Sequence, residues 1–359
     1  MLAHLAVRDF RNLAVLELPL APSGVVVIGE NGQGKTNLLE AVAYLGQLRS
    51  VRGARDADVV RFGAAGFHVR GTRAPGAVPQ VVGVGYERPG KQKRVTLDGV
   101  EVPRLASALG AVPSVGFSPA DVALVAGGPG ERRRYLDVLL ALTVPGYLAA
   151  LQRYRGALER RNALLRQGVR GGRGTLAAEV AAWEPALAEA GGVLAAAREA
   201  FVARHAARLS ATCAAIGEGA PVAMRYDGGS ADYLAAFAQQ REGELRRGMT
   251  LVGPHRDDLV VQLGGRDLRT FGSNGQQRSA AIALRLVELA VMTDALGAPP
   301  LLLLDDPFAE LDLGRAARVL ALLEETAGAQ LLLAVPRAED VPAAWTRLER
   351  RAMRAGVVT

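Results

Sequence analysis

Eight residues, GENGQGKT at 29 to 36, constrain this chain of 359 residues more than any other feature. They follow VVVIGE (25 to 30), a β-branched run of the kind that forms a strand buried on both faces of a sheet. They precede TNLLEAVAYLGQL, where Leu38, Leu39, Val42 and Leu45 fall on one helical face. Strand, glycine turn and helix in that order match the phosphate-loop pattern Gly29-x4-Gly34-Lys35-Thr36. Such glycines let backbone N–H groups turn inward onto phosphates, and the helix N-terminus adds a favourable dipole. Expected nucleotide contacts run through Gly29, Glu30, Asn31, Gly32, Gln33, Gly34, Lys35, Thr36 and Asn37. Lys35 would reach the β- and γ-phosphates as a point charge, and Thr36 would ligate Mg²⁺. The competing reading is a chance glycine-rich turn, and the strand and helix on either side weigh against it.

The chain is long for one compact unit, so two or three domains are expected. No stretch of 18 apolar residues occurs, and the first residues, MLAHLAVRDFRN, carry no export signal, so a soluble protein with a cytoplasmic address is the default expectation. Cys213 is the single cysteine, which excludes an internal disulfide and a cysteine-based zinc site. The four histidines lack metal-ligand spacing, so no metal beyond Mg²⁺ is expected.

Short strands are expected at 2–7 and 13–20, and again between about 60 and 105, where Asp98-Gly99 signals a hairpin. Two helical tracts, roughly 132–167 and 175–215, flank RQGVRGGRGT and suggest an antiparallel helical arm with a basic tip. Pro185 and Gly191-Gly192 are expected to break or kink the second tract. Sheet signals resume near 250, with LLLLDD (301–306) and QLLLAV (330–335) as buried strands. The expected architecture is an α/β P-loop head, with a mixed sheet and an antiparallel β-subdomain, interrupted by a mostly helical insertion. Its boundaries fall at 1–130 for the first part of the head, 131–245 for the arm and 246–359 for the rest of the head.

LLLLDD fits the acidic motif that accompanies a phosphate loop. Asp305 would hold Mg²⁺, and Asp306 would orient or deprotonate the attacking water, so Lys35, Asp305 and Asp306 form the candidate catalytic set. Two acids capping the end of a strand are the plainer alternative. Upstream, FGSNGQQRS places Ser273 and Gln276 at capping-box spacing, with Gly275 permitting close approach of an anion. An ordinary serine-capped helix start explains the same residues.

The order of these blocks (phosphate loop, insertion, serine–glycine turn, acidic strand) resembles the ABC-type ATPase heads of the SMC, Rad50 and RecF group. Within that group the RecF family is the nearer match. The residues that carry this are Asp9-Phe10-Arg11-Asn12, GQGKTNLLEAVAYL running on to LRSVRG, FSPADVALVAGGPGERRRYLD, GPHRDDL, SNGQQRS and LLLLDDPFAELD. The insertion is far shorter than an SMC or Rad50 coiled coil and lacks a zinc-hook cysteine pair. This resemblance implies that Ser273, Asn274, Gly275 and Gln276 contact ATP held by a second copy, with Glu310 and Asp312 in the loop that crosses the dimer interface. It also implies a homodimer formed through ATP, and RecO and RecR as partners that help RecA load on gapped DNA.

Departures from the general ABC pattern are Ser118 where transporter heads place a Gln, Asp306 in place of Glu, and Ala334-Val335-Pro336 where a polar switch residue is usual. None of the last three can donate a side-chain hydrogen bond to a γ-phosphate, so slow, DNA-dependent turnover is expected, with ATP acting as a dimerisation switch. Arg11 could touch the nucleotide or be an ordinary turn arginine; His255, Arg256, Asp257 and Asp258 could scaffold the signature turn or reach DNA.

The net charge of +7 is concentrated, because residues 131–210 hold thirteen Arg against seven acids. Candidate DNA-backbone contacts are Arg132, Arg133, Arg134, Arg153, Arg155, Arg160, Arg161, Arg166, Arg170 and Arg173. Solvated helix faces with acidic partners such as Glu159 compete with that role. Aromatic residues make up only 5%, which favours duplex or duplex-edge recognition over base stacking. Two other classes share the phosphate loop. A transporter ATPase subunit would bind a membrane partner rather than DNA, and a monomeric P-loop kinase would need no signature turn.

Overall fold

The computed structural model of the protein describes all residues except 171–175, 310, 326 and 327. It divides into two compact units, 1–121 with 288–359, and 122–287.

The first unit is built on two sheets. An antiparallel six-stranded sheet runs in the order Leu13–Pro19, Leu2–Phe10, Gly66–Arg73, Val81–Glu87, Gln92–Leu97 and Val100–Glu101. The second has the order Val357–Val358, Glu349–Arg354, Gly24–Ile28, Leu331–Val335, Leu301–Asp305 and Ser114–Phe117. All neighbours in it are parallel except the first pair. The expected Asp98-Gly99 turn is present, with both residues at positive φ.

The helix Lys35–Gln47 packs on strands of both sheets, which explains why its apolar residues are buried all round. Leu38, Val42, Tyr44 and Leu45 share one core with Leu5 and Val7 of the antiparallel sheet and Val25, Leu303 and Leu332 of the parallel sheet. Each such side chain contributes about 1.5–3 kcal/mol by burial. A Cβ on Gly71 would come within 2.7 Å of Leu45 Cδ1 and 2.9 Å of Leu2 Cδ1, so a glycine there lets strand and helix approach closely. Phe10, Tyr44 and Phe67 meet edge to face with centroids 5.2–5.7 Å apart.

The second unit is mainly helical. Pro129–Thr143 is followed by a break at 144–146 and then by Tyr147–Arg170. Pro145 and the left-handed Gly146 produce this break inside the tract expected to be continuous. Leu176–Ala181 precedes Glu184–Ile216, a helix of 33 residues. Pro185 therefore sits in a first turn, where proline is tolerated, and the chain breaks just before it. Gly191-Gly192 do not interrupt the helix, because Gly191 lies where Tyr154 and Pro254 pack (a Cβ would be 3.3 Å from Tyr154 Cε2).

The helices Tyr147–Arg170 and Glu184–Ile216 are antiparallel, as expected. Tyr147 meets Arg198, Tyr154 meets Gly191 and Arg161 meets Glu184, so every seven residues along one helix correspond to seven back along the other. That spacing keeps the same faces together over two heptads. Of the expected basic tip RQGVRGGRGT (166–175), residues 166–170 continue the helix, and 171–175 lie outside the described residues.

The unit boundaries differ from those expected at 130/131 and 245/246. Residues 122–130 and 246–287 belong with the helical unit. Strand Asp258–Leu263 pairs along its whole length with Val222–Asp227, a strand within the supposed arm, and Arg132 holds Asp258 with two hydrogen bonds of 2.7 and 2.8 Å.

Candidate nucleotide site and signature turn

The phosphate loop leaves the parallel sheet after Ile28. Gly32 and Gly34 have φ of 82° and 114°, a region that side chains disfavour, and a Cβ on Gly34 would collide with Asn12. Helix Lys35–Gln47 starts at Gly34 with no side-chain cap, so its first N–H groups face the loop. Glu30, Asn31, Gly32 and Thr36 are exposed, while Gln33 and Asn37 are half-buried. Lys35 is buried and donates to the carbonyls of Gly29 (2.5 Å) and Glu30 (2.9 Å). Burial lowers its pKa, against the pull of Asp305 and Asp306.

The loop is braced by residues whose role its motif does not disclose. Asn12 donates to the Gln33 carbonyl at 3.0 Å and accepts from Asn37 at 2.8 Å. The Gln33 side chain accepts from the Ala355 N–H, and its carbonyl accepts from the Gly356 N–H. Arg11 makes two 3.0 Å hydrogen bonds to Glu40, a buried acid in the loop helix that also accepts from Ser50. This brace is a role that neither reading of Arg11, nucleotide contact or ordinary turn arginine, includes. An acid at a helix position otherwise surrounded by apolar residues was the available signal for it.

The acidic strand lies beside the loop in space. Thr36 Oγ1 donates to Asp305 Oδ2 at 2.7 Å, 269 residues away in sequence. Burial raises the pKa of Asp305, opposed by the Thr36 hydroxyl and the Lys35 ammonium. A hydroxyl and a carboxylate side by side are hard oxygen donors, the set that suits Mg²⁺ when phosphate oxygens and waters complete the octahedron. Asp306 follows with φ of 46°, a strained conformation for a non-glycine residue, and its N–H bonds to the Ala334 carbonyl at 2.9 Å. Ser118 donates its N–H to Asp121 Oδ2 at 2.7 Å.

In the second unit, the Ser273 N–H donates to Gln276 Oε1 (2.9 Å) and the Gln276 N–H to Ser273 Oγ (3.3 Å), the reciprocal capping box expected from their spacing. Helix Asn274–Leu296 begins there, with Ser273 and Asn274 exposed and Gly275 and Gln276 half-buried. Gln277 is buried and donates to the carbonyls of Leu268 and Arg269, tying the turn to the short helix Leu268–Phe271 before it. Asp312 accepts from the Arg315 N–H and caps helix Leu313–Glu324; Glu310 lies outside the described residues.

The basic candidates separate sharply. Arg132 and Arg161 are interior residues, which corrects their expected place among DNA contacts. Arg132 pairs with Asp258, and Arg161 with Glu184 (3.0 Å) and Glu244 (2.7 Å). Removing a guanidinium from water requires such partners, and those partners leave no room for a phosphate. Arg133 is half-buried and donates to the Asp257 carbonyl, and Arg134 is half-buried. Arg160 is exposed, over the Trp183 ring at 5.3 Å. The Arg170 side chain and Arg173 lie outside the described residues. In the 255–258 cluster, His255 contacts Tyr154 and Thr250, and Asp257 accepts from Tyr226 and Gly229. These contacts are internal to the helical unit.

Fold and site together define an ABC-type P-loop ATPase head. No protein-family model matches the chain. It is 40% identical over 376 residues to the DNA replication and repair protein RecF of Anaeromyxobacter dehalogenans strain 2CP-C, covering all of this chain and 98% of that protein. It is 39% identical to RecF of Kineococcus radiotolerans, over 95% of this chain and 94% of that one. The chain belongs to the RecF family. Among solved structures, the recombination mediator RecF with ATP superposes with a TM-score of 0.88 at 28% identity, covering all of this chain and 96% of that one. An Smc head domain from Pyrococcus furiosus matches at a TM-score of 0.57 and 17% identity, a likeness of fold.

Proposed function

We propose that this protein is an ATP-dependent DNA-binding protein of recombinational repair, acting in the cytoplasm. The reading rests first on the Thr36–Asp305 contact beside Lys35, which brings the nucleotide and metal residues of two distant motifs together. Solved relatives titled as RecF with ATP in the RecFOR pathway support it. Mg²⁺, held by Thr36 and Asp305, would offset charge on the β- and γ-phosphates. Lys35 would bind those phosphates, and Asp306 would orient the attacking water and accept its proton.

The pre-capped and exposed turn Ser273–Gln276 would close on the γ-phosphate held by a second copy, with Glu310 and Asp312 also at that interface. ATP would thus join two copies. Slow, DNA-stimulated hydrolysis would release them. The dimer would bind duplex or gapped DNA through exposed arginines such as Arg160 and, with RecO and RecR, promote RecA loading. Sedimentation of wild type, Lys35→Met and Ser273→Arg with ATP, with and without gapped duplex, tests this. Wild type alone should dimerise; a Ser273→Arg protein that dimerises equally well defeats the model.

A further inference from the structure

The strand Leu331–Val335 lies between the strand that feeds the phosphate loop and the strand that delivers the acids. At its carboxyl end the Gly29 N–H donates to the Val335 carbonyl at 3.2 Å, and the Asp306 N–H donates to the Ala334 carbonyl at 2.9 Å. Whatever leaves this strand therefore emerges between the phosphate loop and Asp306, at the carboxyl ends of parallel strands where ligands bind. Ala334, Val335 and Pro336 carry no side-chain donor, and the next residue is Arg337.

Arg337 is 67% exposed, and its guanidinium is held within the chain by a local partner. Nη2 donates to Asp340 Oδ1 at 2.8 Å and Nε to Asp340 Oδ2 at 3.2 Å, with Glu339 at 3.5 Å. Asp340, then Glu339 and more weakly Asp306, raise its pKa, so the guanidinium also lies within the field of Asp306. A long cation with five donors, itself exposed and resting on half-buried Asp340 with exposed Glu339 beside it, can exchange these carboxylates for a phosphate, the other anion its planar fork fits.

We propose that Arg337 is the γ-phosphate sensor of this chain, moving from Asp340 to the terminal phosphate of ATP and taking the part of the polar switch residue that positions 334–336 lack. The inference rests on the ATP-binding reading given above. In hydrolysis the water oxygen bonds to the γ-phosphorus as the bond to the β–γ bridging oxygen breaks, giving ADP and phosphate. Arg337 donates hydrogen bonds to the γ-oxygens throughout and transfers no proton. A residue that touches only the γ-phosphate distinguishes ATP from ADP, which lacks it.

The test measures ATP and ADP affinities by calorimetry for full-length wild type, Arg337→Ala, Arg337→Lys, Asp340→Ala and Lys35→Ala, with single-turnover hydrolysis alongside. Arg337→Ala should lower the preference for ATP over ADP by about tenfold, leave ADP affinity unchanged and slow hydrolysis by about 10²-fold. Arg337→Lys should restore part of the preference. Asp340→Ala, which frees the arginine, should hold or raise ATP affinity. If Arg337 matters only through its cap on the 338–340 turn, Asp340→Ala will lower ATP affinity as much as Arg337→Ala, and the proposal falls. An unchanged ATP-to-ADP ratio in Arg337→Ala also overturns it. Failure of the underlying reading looks different: wild type and Lys35→Ala would then bind ATP equally poorly.

Discussion

Charge is buried in both units, but under opposite terms. In the helical unit, Arg161 is wholly buried and meets Glu184 and Glu244, while Arg241 adds a second cation on Glu184 with hydrogen bonds of 2.6 and 2.9 Å. Two cations against two carboxylates leave the group neutral. Burial alone would raise the pKa of Glu184, yet its hydrogen bonds to Arg241 and Arg161 prevail and hold it below the ordinary value. At the nucleotide site Asp305 is under-compensated, its pKa raised despite Thr36 and Lys35. The first arrangement fixes a structure; the second leaves a carboxylate in want of positive charge, which suits a metal site. Arginine count alone therefore says little about DNA binding, because partners decide each residue's role.

Breaking the interior network should produce the largest effect. Arg161→Ala strands buried Glu244 and leaves Glu184 to Arg241 alone, and should destabilise the helical unit by about 3–5 kcal/mol, read by urea denaturation. Asp305→Asn should do the reverse at the other site. Hydrolysis should fall by about 10²-fold or more in single-turnover assays, while the melting temperature holds or rises because an ill-compensated charge is removed. A fall in melting temperature comparable to that of Arg161→Ala would erase the contrast.

The pH response sharpens it further. Burial lowers the pKa of His255 to about 4, with Arg256 and Arg133 adding to the effect and the Thr250 carbonyl opposing it. An unfolded histidine titrates near 6.5. Between those values the unfolded chain binds a proton that the folded chain refuses, so stability is lost as pH falls from about 6.5 to about 4, up to about 3 kcal/mol. His255→Gln should flatten that slope in denaturation curves taken across the range. The smallest effect belongs to Arg160→Ala. Stability should change by less than about 1 kcal/mol, while duplex affinity weakens and its salt dependence becomes shallower by about one unit.

Much of the nucleotide site was legible because its signals are local. Strand, glycine turn and helix lie within some twenty residues, and the Ser273–Gln276 cap spans one turn. The brace formed by Arg11, Asn12 and Gln33 was not, since its partners lie 21 to 322 residues away and no local pattern encodes them. The unit boundaries were missed for the same reason: Arg132 and Asp258 are 126 residues apart, and Val222–Asp227 reads as a strand only once its neighbour is known. The break at Pro145-Gly146 had a local signal that helical periodicity on either side outweighed. Arginines 132 and 161 look like any basic helix residue until burial distinguishes them.

The bond from Ala355 to Gln33 has a consequence for how the protein comes into being. The phosphate loop leaves the ribosome early, yet the backbone that secures Gln33 is made 322 residues later. At about 5–20 residues per second, that leaves the loop with only its Asn12 brace for roughly 15 to 60 seconds of translation. The phosphate loop therefore reaches its full set of hydrogen bonds only when synthesis is nearly complete.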